Sequence, residues 1–430
     1  MKINLAYGQG GLDVEIPDRN LQKVLTPADI PPIEDPDAFL LHAIEHPIGS
    51  PSLSIVARNA RSACVVISDI TRPVPNKTLL PPLLRTLEES GVDRERITIL
   101  IATGLHRESN RQELDIMVGS DILGRYHVVD HHARIQGEHQ FLGYTRHETP
   151  VYVDRRYWEA DIKITTGFIE SHLMAGFSGG RKLIAPGCAG EMTIKALHSP
   201  LFLEDPHCRE GQIEGNPLHQ ELLEIAGMAG HDFIVNVSLN AARKITGLFA
   251  GDPLAAHAAG VEFVRRGVRA TIPAPADIVV TTSAGYPLDL TFYQAVKGMT
   301  AAMPVLRKGG LLIIAAECAE GLGSAEFTTM ATSFTTASQF VDTIMSNPVV
   351  IDQWQLEECA KAVKHAEVVL VSPTIHRKYR TKLFIRTAET VESALEEGMK
   401  VLGSNASVAV IPKGPYTLVE VEGPSFPGSR

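Results

Sequence analysis

Two unbroken apolar runs, Ser62 to Ile67 and Ile97 to Thr103, flank a segment from Lys77 to Glu89 whose apolar residues recur at helical spacing. A strand that is apolar at every position has both faces buried, and a helix long enough to cross over between two such strands makes them parallel neighbours. That β-α-β unit restricts the chain to folds with helices packed on a parallel sheet. Further buried-strand runs are Asp161 to Thr166 and Phe233 to Leu239, with a helical pattern from Leu218 to Ala226. After Arg265 to Ala276, which carries Gly267, Pro273 and Pro275, a second series opens. It comprises the strand Ile278 to Thr282, the helix Thr291 to Leu306, the strand Leu311 to Ala315, the helix Thr336 to Met345 and the strand Val368 to Val371.

The expected fold class is therefore α/β: two α/β domains with mainly parallel sheets and an active site in the cleft between them. A length of 430 residues suits two domains, and 44% hydrophobic residues with 35 Gly and 27 Pro suit a loop-rich globular enzyme. The expected boundaries are 1–270 for the N-terminal domain and 276–404 for a smaller C-terminal one. The run Ala406 to Ile411 is expected to carry 405–430 back to the first domain, and Gly423 to Arg430 reads as a frayed tail.

A formal charge of -10 disfavours nucleic acid or an anionic membrane as partner. The first ten residues lack the pattern of a secretory signal, and no apolar run reaches ~18 residues, so a cytoplasmic location is expected. The five cysteines, Cys64, Cys188, Cys208, Cys318 and Cys359, are widely spaced and read as small apolar residues.

The chemistry-bearing residues fall after strands. Asp69-Ile70-Thr71-Arg72-Pro73 follows the first strand of the β-α-β unit and Gly104-Leu105-His106-Arg107 the second. If the strands are neighbours, Asp69, Arg72 and His106 share the crevice where open parallel sheets bind ligands. The plainer reading of the first run is a helix-entry turn with Asp or Thr as cap. A third cluster, Glu170 to Lys182, follows the strand ending near Thr166 and holds Gly176, Gly179 and Gly180. Arg181 beside Lys182 would depress the lysine's pKa and favour its nucleophilic form, while a lysine by itself is more often a solvated or phosphate-contacting cation.

Motifs that compete for this loop fit poorly. A P-loop needs Gly-Lys followed by Ser or Thr, and the chain has Arg181-Lys182-Leu183. Gly176-Phe177-Ser178-Gly179-Gly180 matches G-x-S-x-G, but Ser178 stands about ten residues beyond its strand instead of at a nucleophile elbow. A serine hydrolase using Ser178 stays open as a minor alternative. His198, in Leu197-His198-Ser199-Pro200, offers an imidazole for a borderline-soft metal, or is simply structural. His131-His132 and His207-Cys208 read as surface or turn residues. Gln294 and Lys297 are i, i+3 neighbours on one helix face, which is either a wet face or a grip on an anion.

Taken together, Asp69 to Pro73, Gly104 to Arg107, His172 to Lys182, Leu197 to Pro200 and Tyr293-Gln294-Ala295-Val296-Lys297 resemble, in order and spacing, the nickel-dependent lactate racemase family. The resemblance extends through Asp352-Gln353-Trp354-Gln355 and the closing Pro412 to Leu418. It implies a racemase or epimerase of a small 2-hydroxy acid, acting by reversible hydride transfer to a nickel-pincer nucleotide. That cofactor is a pyridinium-3,5-bisthiocarboxylic acid mononucleotide covalently attached at Lys182, with His198 as the protein ligand to nickel. The resemblance further implies His106 and His172 as the acid-base pair, one for each enantiomer, and Asp69, Ile70, Thr71, Arg72, Gln294 and Lys297 as cofactor contacts. Arg72, Lys297, Tyr293 and Trp354 would face the substrate. Cofactor-biosynthesis proteins would be partners, and a noncatalytic cofactor carrier is the reading from another functional class. Oligomeric state is not legible.

Overall fold

The computed structural model describes residues 1–422, and the tail expected from Gly423 lies outside the described residues. The chain divides into two compact units: Asp29–Arg266 forms one, and Met1–Ala28 together with the chain from Gly267 forms the other.

In the unit Asp29–Arg266, the fully buried run Ala63–Ser68 is the fourth strand of a six-stranded sheet. The order is Ile245–Gly251, Phe233–Leu239, Ile162–Phe168, Ala63–Ser68, Ile97–Ala102, His127–Asp130. All neighbours are parallel except the first pair. The helix Asn76–Glu89 makes the crossover that the sequence predicts, burying Leu79, Leu80, Leu83, Leu84 and Leu87 against the sheet. Each such leucine stabilises the unit by roughly 1.5–3 kcal/mol relative to an exposed one. The chain leaves Ala63–Ser68 towards Ile97–Ala102 and His127–Asp130, then returns on the opposite side through Ile162–Phe168. The order therefore reverses between the strands ending at Ser68 and Phe168, which opens a crevice beyond their carboxyl ends.

The other unit has its own six-stranded parallel sheet in the order Arg386–Ala388, Glu367–Val371, Leu306–Ala315, Ala276–Thr282, Val408–Ile411, Leu21–Val24. Its reversal lies between Ala276–Thr282 and Val408–Ile411. Cores of buried apolar residues cover both faces.

Two boundary expectations change. The run near Ala406 to Ile411 does not rejoin the first domain: Val408–Ile411 pairs in parallel with Ala276–Thr282. Residues 1–28 join the same unit, because Leu21–Val24 pairs with Val408–Ile411. A short apolar strand is equally at home in either sheet, so its composition does not disclose which one it enters.

Candidate active site

The candidate site residues of the unit Asp29–Arg266 come from three loops at the carboxyl ends of its strands. Asp69 to Pro73 is not a helix cap, since the helix begins at Asn76 and Pro75 occupies the cap. The Asp69 carboxylate instead accepts from the Thr71 hydroxyl at 2.6 Å and more distantly from the Thr71 amide, a local turn. Its other oxygen lies 2.7 Å from His106 Nδ1. Burial alone would raise the Asp69 pKa, but the His106 hydrogen bond and charge, with Thr71 and Arg72, hold it below the usual carboxylate range. The His106 side chain is 59% exposed against 9% for that of Asp69, so a buried carboxylate anchors an imidazole that a ligand can reach. Ile70, half-buried, packs against the apolar core. Thr71 is exposed and Arg72 half-buried.

The turn carrying His106 is tied to the lysine loop: Gly104 N donates to the Gly187 carbonyl at 3.0 Å. Lys182 sits in a short 3-10 turn, Gly180–Leu183, reached through Gly179 at φ +82. A Cβ on Gly179 would stand 2.6 Å from Asn236 Oδ1, the atom that accepts from the Gly180 amide at 2.8 Å. Only glycine permits that approach and that backbone conformation together. Burial, then the charges of Arg181 and Arg72, lower the Lys182 pKa to about 7. A large fraction of this amine is neutral near neutral pH, which a nucleophilic lysine requires.

Arg181 is itself buried, at 2% exposure, and the acceptors it meets carry no charge. Its Nη2 donates to the Ala175 carbonyl at 3.0 Å and its Nη1 to His257 Nε2 at 2.8 Å. Burial pulls the guanidinium down to about 9, so it still carries its charge at neutral pH. His198 ends the helix Glu191–Leu197, with Nδ1 2.7 Å from the Ile194 carbonyl. The hydrogen is therefore on Nδ1 and the lone pair on Nε2. Burial, joined by the charge of Lys182 and opposed by the Ile194 hydrogen bond, lowers the His198 pKa to about 4, so the ring is neutral, the form in which an imidazole can ligate a metal.

His172 lies on the two-residue strand Ser171–His172, paired with Gly176–Phe177. Its Nδ1 accepts from the amides of Met174 at 3.2 Å and Ala175 at 3.1 Å. Through the Ala175 carbonyl the turn is joined to Arg181, and Asn216 Nδ2 holds the Met174 carbonyl at 2.8 Å.

Ser178 braces this loop. Its hydroxyl donates to the Phe168 carbonyl at 2.9 Å and accepts from the Glu170 amide at 3.0 Å. His257 Nε2 stands 2.9 Å from the serine's carbonyl oxygen, not aligned on Oγ as a general base would be. The hydrolase alternative thus loses its nucleophile.

In the other unit, Tyr293, Gln294 and Lys297 lie on the helix Phe292–Ala302, which Thr291 caps. This helix follows the strand Ala276–Thr282 at that sheet's own reversal. Gln294 Oε1 is a buried acceptor without a hydrogen-bond partner among the described residues. Trp354, 8% exposed, donates its indole N–H to Tyr293 Oη at 3.1 Å.

Sequence reading missed several supports. His131 is 2% exposed, not a surface residue, with Nδ1 3.0 Å from the buried Asp154 carboxylate. Cys208 is also buried, its thiol directed at the Met174 carbonyl. Asn236 and His257 carry no motif; the one signal was a polar Asn236 inside the otherwise apolar strand Phe233–Leu239, while His257 lies on the helix Ala255–Val268, which the sequence analysis did not single out. Among the described residues no group of three or more His, Cys, Asp or Glu is arranged to hold a metal. No helix among them is long and apolar enough to cross a membrane.

The family model for the lactate racemase N-terminal domain matches residues 7–211, and that for the lactate racemase C-terminal domain matches 271–419. The chain is 34% identical to a lactate racemase of Thermoanaerobacterium thermosaccharolyticum, covering 97% of this chain and 99% of that one. It is 37% identical to a lactate racemase of Lactiplantibacillus plantarum, over 88% and 89% of the two chains. The structure of the T. thermosaccharolyticum apoprotein superposes with a TM-score of 0.93 at 33% identity, covering 98% of this chain and all of that one. A Thermotoga maritima protein at 18% identity, with a TM-score of 0.67, shares the fold.

Proposed function

Because the chain belongs to the lactate racemase family, we propose that it is an isomerase that inverts the hydroxyl-bearing carbon of a small 2-hydroxy acid, with lactate the first substrate to test. The observation that carries the reading is a half-buried, largely neutral Lys182 in the same unit as a carboxylate-anchored His106, at the crevice where the sheet order reverses.

The donor set fits a nickel-pincer nucleotide. Lys182 offers a neutral amine for a covalent link, and His198 offers Nε2 of a neutral ring as one ligand to nickel. A metal here would draw its other donors from the nucleotide, in keeping with the single protein imidazole. When bound, the group supplies an acceptor and donor for the substrate's α-hydrogen with its electron pair.

The remaining work falls to the chain. Arg72 holds the substrate carboxylate at two points, which leaves the far end able to turn. His106 takes the hydroxyl proton at Nε2, and Asp69 offsets the charge that the ring acquires. His172 is the second acid-base group, serving the opposite face. Gln294 and Lys297 are assigned to the nucleotide, for which the buried Gln294 Oε1 suits a ligand hydroxyl, and Tyr293 and Trp354 to the substrate. The proteins that build the nucleotide are the expected partners.

The test is intact mass and nickel content of protein co-produced with those biosynthetic enzymes, followed by assays on single-enantiomer 2-hydroxy acids. An adduct mapped to Lys182 with bound nickel and racemisation is expected. An unmodified, nickel-free Lys182 would overturn the cofactor assignment, and loaded protein that turns over no 2-hydroxy acid would favour a cofactor carrier. Against the carrier stands the Asp69–His106 pair, which a store of cofactor does not need.

A further inference from the structure

We propose that the two histidines rest as opposite neutral tautomers, His106 with its hydrogen on Nδ1 and His172 with its hydrogen on Nε2, so that the resting site holds one base and one hydrogen-bond donor. On this proposal Asp69 and the Met174–Ala175 turn are positioning groups that act through the rings they hold. The inference rests on the acid-base roles given above to His106 and His172.

A carboxylate held ionised only accepts, so the 2.7 Å contact with Asp69 requires a hydrogen on His106 Nδ1. The Thr71 hydroxyl satisfies the second Asp69 oxygen, which fixes the carboxylate and thereby the ring. The neutral imidazole then presents a lone pair at Nε2.

At His172 the logic inverts. Two main-chain N–H groups, which only donate, converge on Nδ1. That nitrogen must carry the lone pair, and the one hydrogen of the neutral ring is on Nε2. Turning the ring over would leave both amides facing a carbon. The turn cannot slide easily, because the Met174 carbonyl is held by Asn216 and the Ala175 carbonyl by the buried Arg181.

The proton balance follows. A substrate O–H bond breaks, its electron pair stays on oxygen and its proton bonds to His106 Nε2, giving an imidazolium beside Asp69. His172 cannot accept at Nε2 in this form, because that atom already carries hydrogen; it donates a hydrogen bond to an oxygen facing it. To act as an acid or base in its turn, His172 must take a proton at Nδ1 and release both amides. The two faces of the site are thus unequal at rest, although the reaction they serve is symmetrical.

The test is a long-range proton–nitrogen correlation spectrum of full-length protein labelled with nitrogen-15 in its histidines, recorded near pH 8. The His106 and His172 signals are assigned by their loss in His106→Gln and His172→Gln. Expected is a protonated Nδ1 with a bare Nε2 for His106, and the reverse for His172. Asp69→Asn should blur the His106 pattern into a tautomer mixture and lower kcat of the loaded enzyme by on the order of 10²-fold or more with KM little changed. If that variant does not fold, the wild-type spectrum decides alone. Matching tautomers at the two rings, or a protonated Nδ1 on His172, would overturn the proposal while racemisation, measured separately, would leave the function standing. The expected pattern in a protein that racemises no 2-hydroxy acid would retain the tautomers and sink the functional reading instead.

Discussion

The charge on Arg181 has a role that its neighbours expose. A guanidinium buried among uncharged acceptors is costly, and the neutral residues around it do not offset its field at Lys182. Arg181→Met should therefore raise the Lys182 pKa, and at pH 7 a small amine-reactive reagent should label Lys182 of the apoprotein more slowly, read by peptide mass. Equal labelling in the two proteins would show that burial alone sets the amine. On the proposed cofactor assignment, His198→Ala should remove nickel and leave the Lys182 adduct in place, checked by metal content against intact mass; retained nickel would place the protein ligand elsewhere. At this scale the sequence disclosed which residues stand at strand ends, since Asp69, His106 and Lys182 each follow an apolar run. It did not disclose that Asp69 holds His106, because the pairing spans 37 positions and depends on two turns folding over one crevice. The adjacent pair at His131 was misjudged for a similar reason: a polar local sequence hides a distant buried partner, Asp154.

Among elements, the loop from Ile169 to Leu183 has the least tolerance. Gly179→Ala would place a side chain against Asn236 in a backbone region that favours glycine, and about 1–3 kcal/mol of strain is expected. Denaturant unfolding should show the loss, and a variant as stable as the parent would mean that the Asn236 contact is not held. The long helices and buried strands were legible because their periods are unambiguous, as with Asn76–Glu89 and Phe233–Leu239. The helix opening at Phe292 stops at Ala302, short of Leu306, which already belongs to the next strand. Pro304, in the 3-10 turn Met303–Val305, was the signal that the helix ends there. The small strands of residues 1–24 were invisible for want of length.

At the level of the molecule, acid should weaken the unit Asp29–Arg266 selectively. Burial lowers the pKa of His219 and His231 to about 3 and that of His257 well below 6.5. A histidine depressed in the folded state stays neutral while the unfolded chain takes up a proton, so its contribution is complete above the unfolded pKa near ~6.5 and declines as pH falls. Each such ring should cost about 1.4 kcal/mol per pH unit well below that point. Asp154, held to about 2 by Arg156 and His131 against its own burial, adds a loss of the same sign below ~3.9. Thermal unfolding from pH 8 to pH 4 should show a falling midpoint for this unit, and a flat profile would contradict the burial of these rings. Finally, among the described residues the strand Leu21–Val24 finds its pairing neighbour in Val408–Ile411, near the opposite end of the sequence. On a ribosome this strand, the first made of its six-stranded sheet, must wait for that partner through nearly the whole of translation, while Asp29–Arg266 emerges with every strand of its own sheet and can condense first. The protein is thus assembled from the middle outward, and a chain released before residue 408 would present a finished insert carried by an unfinished host.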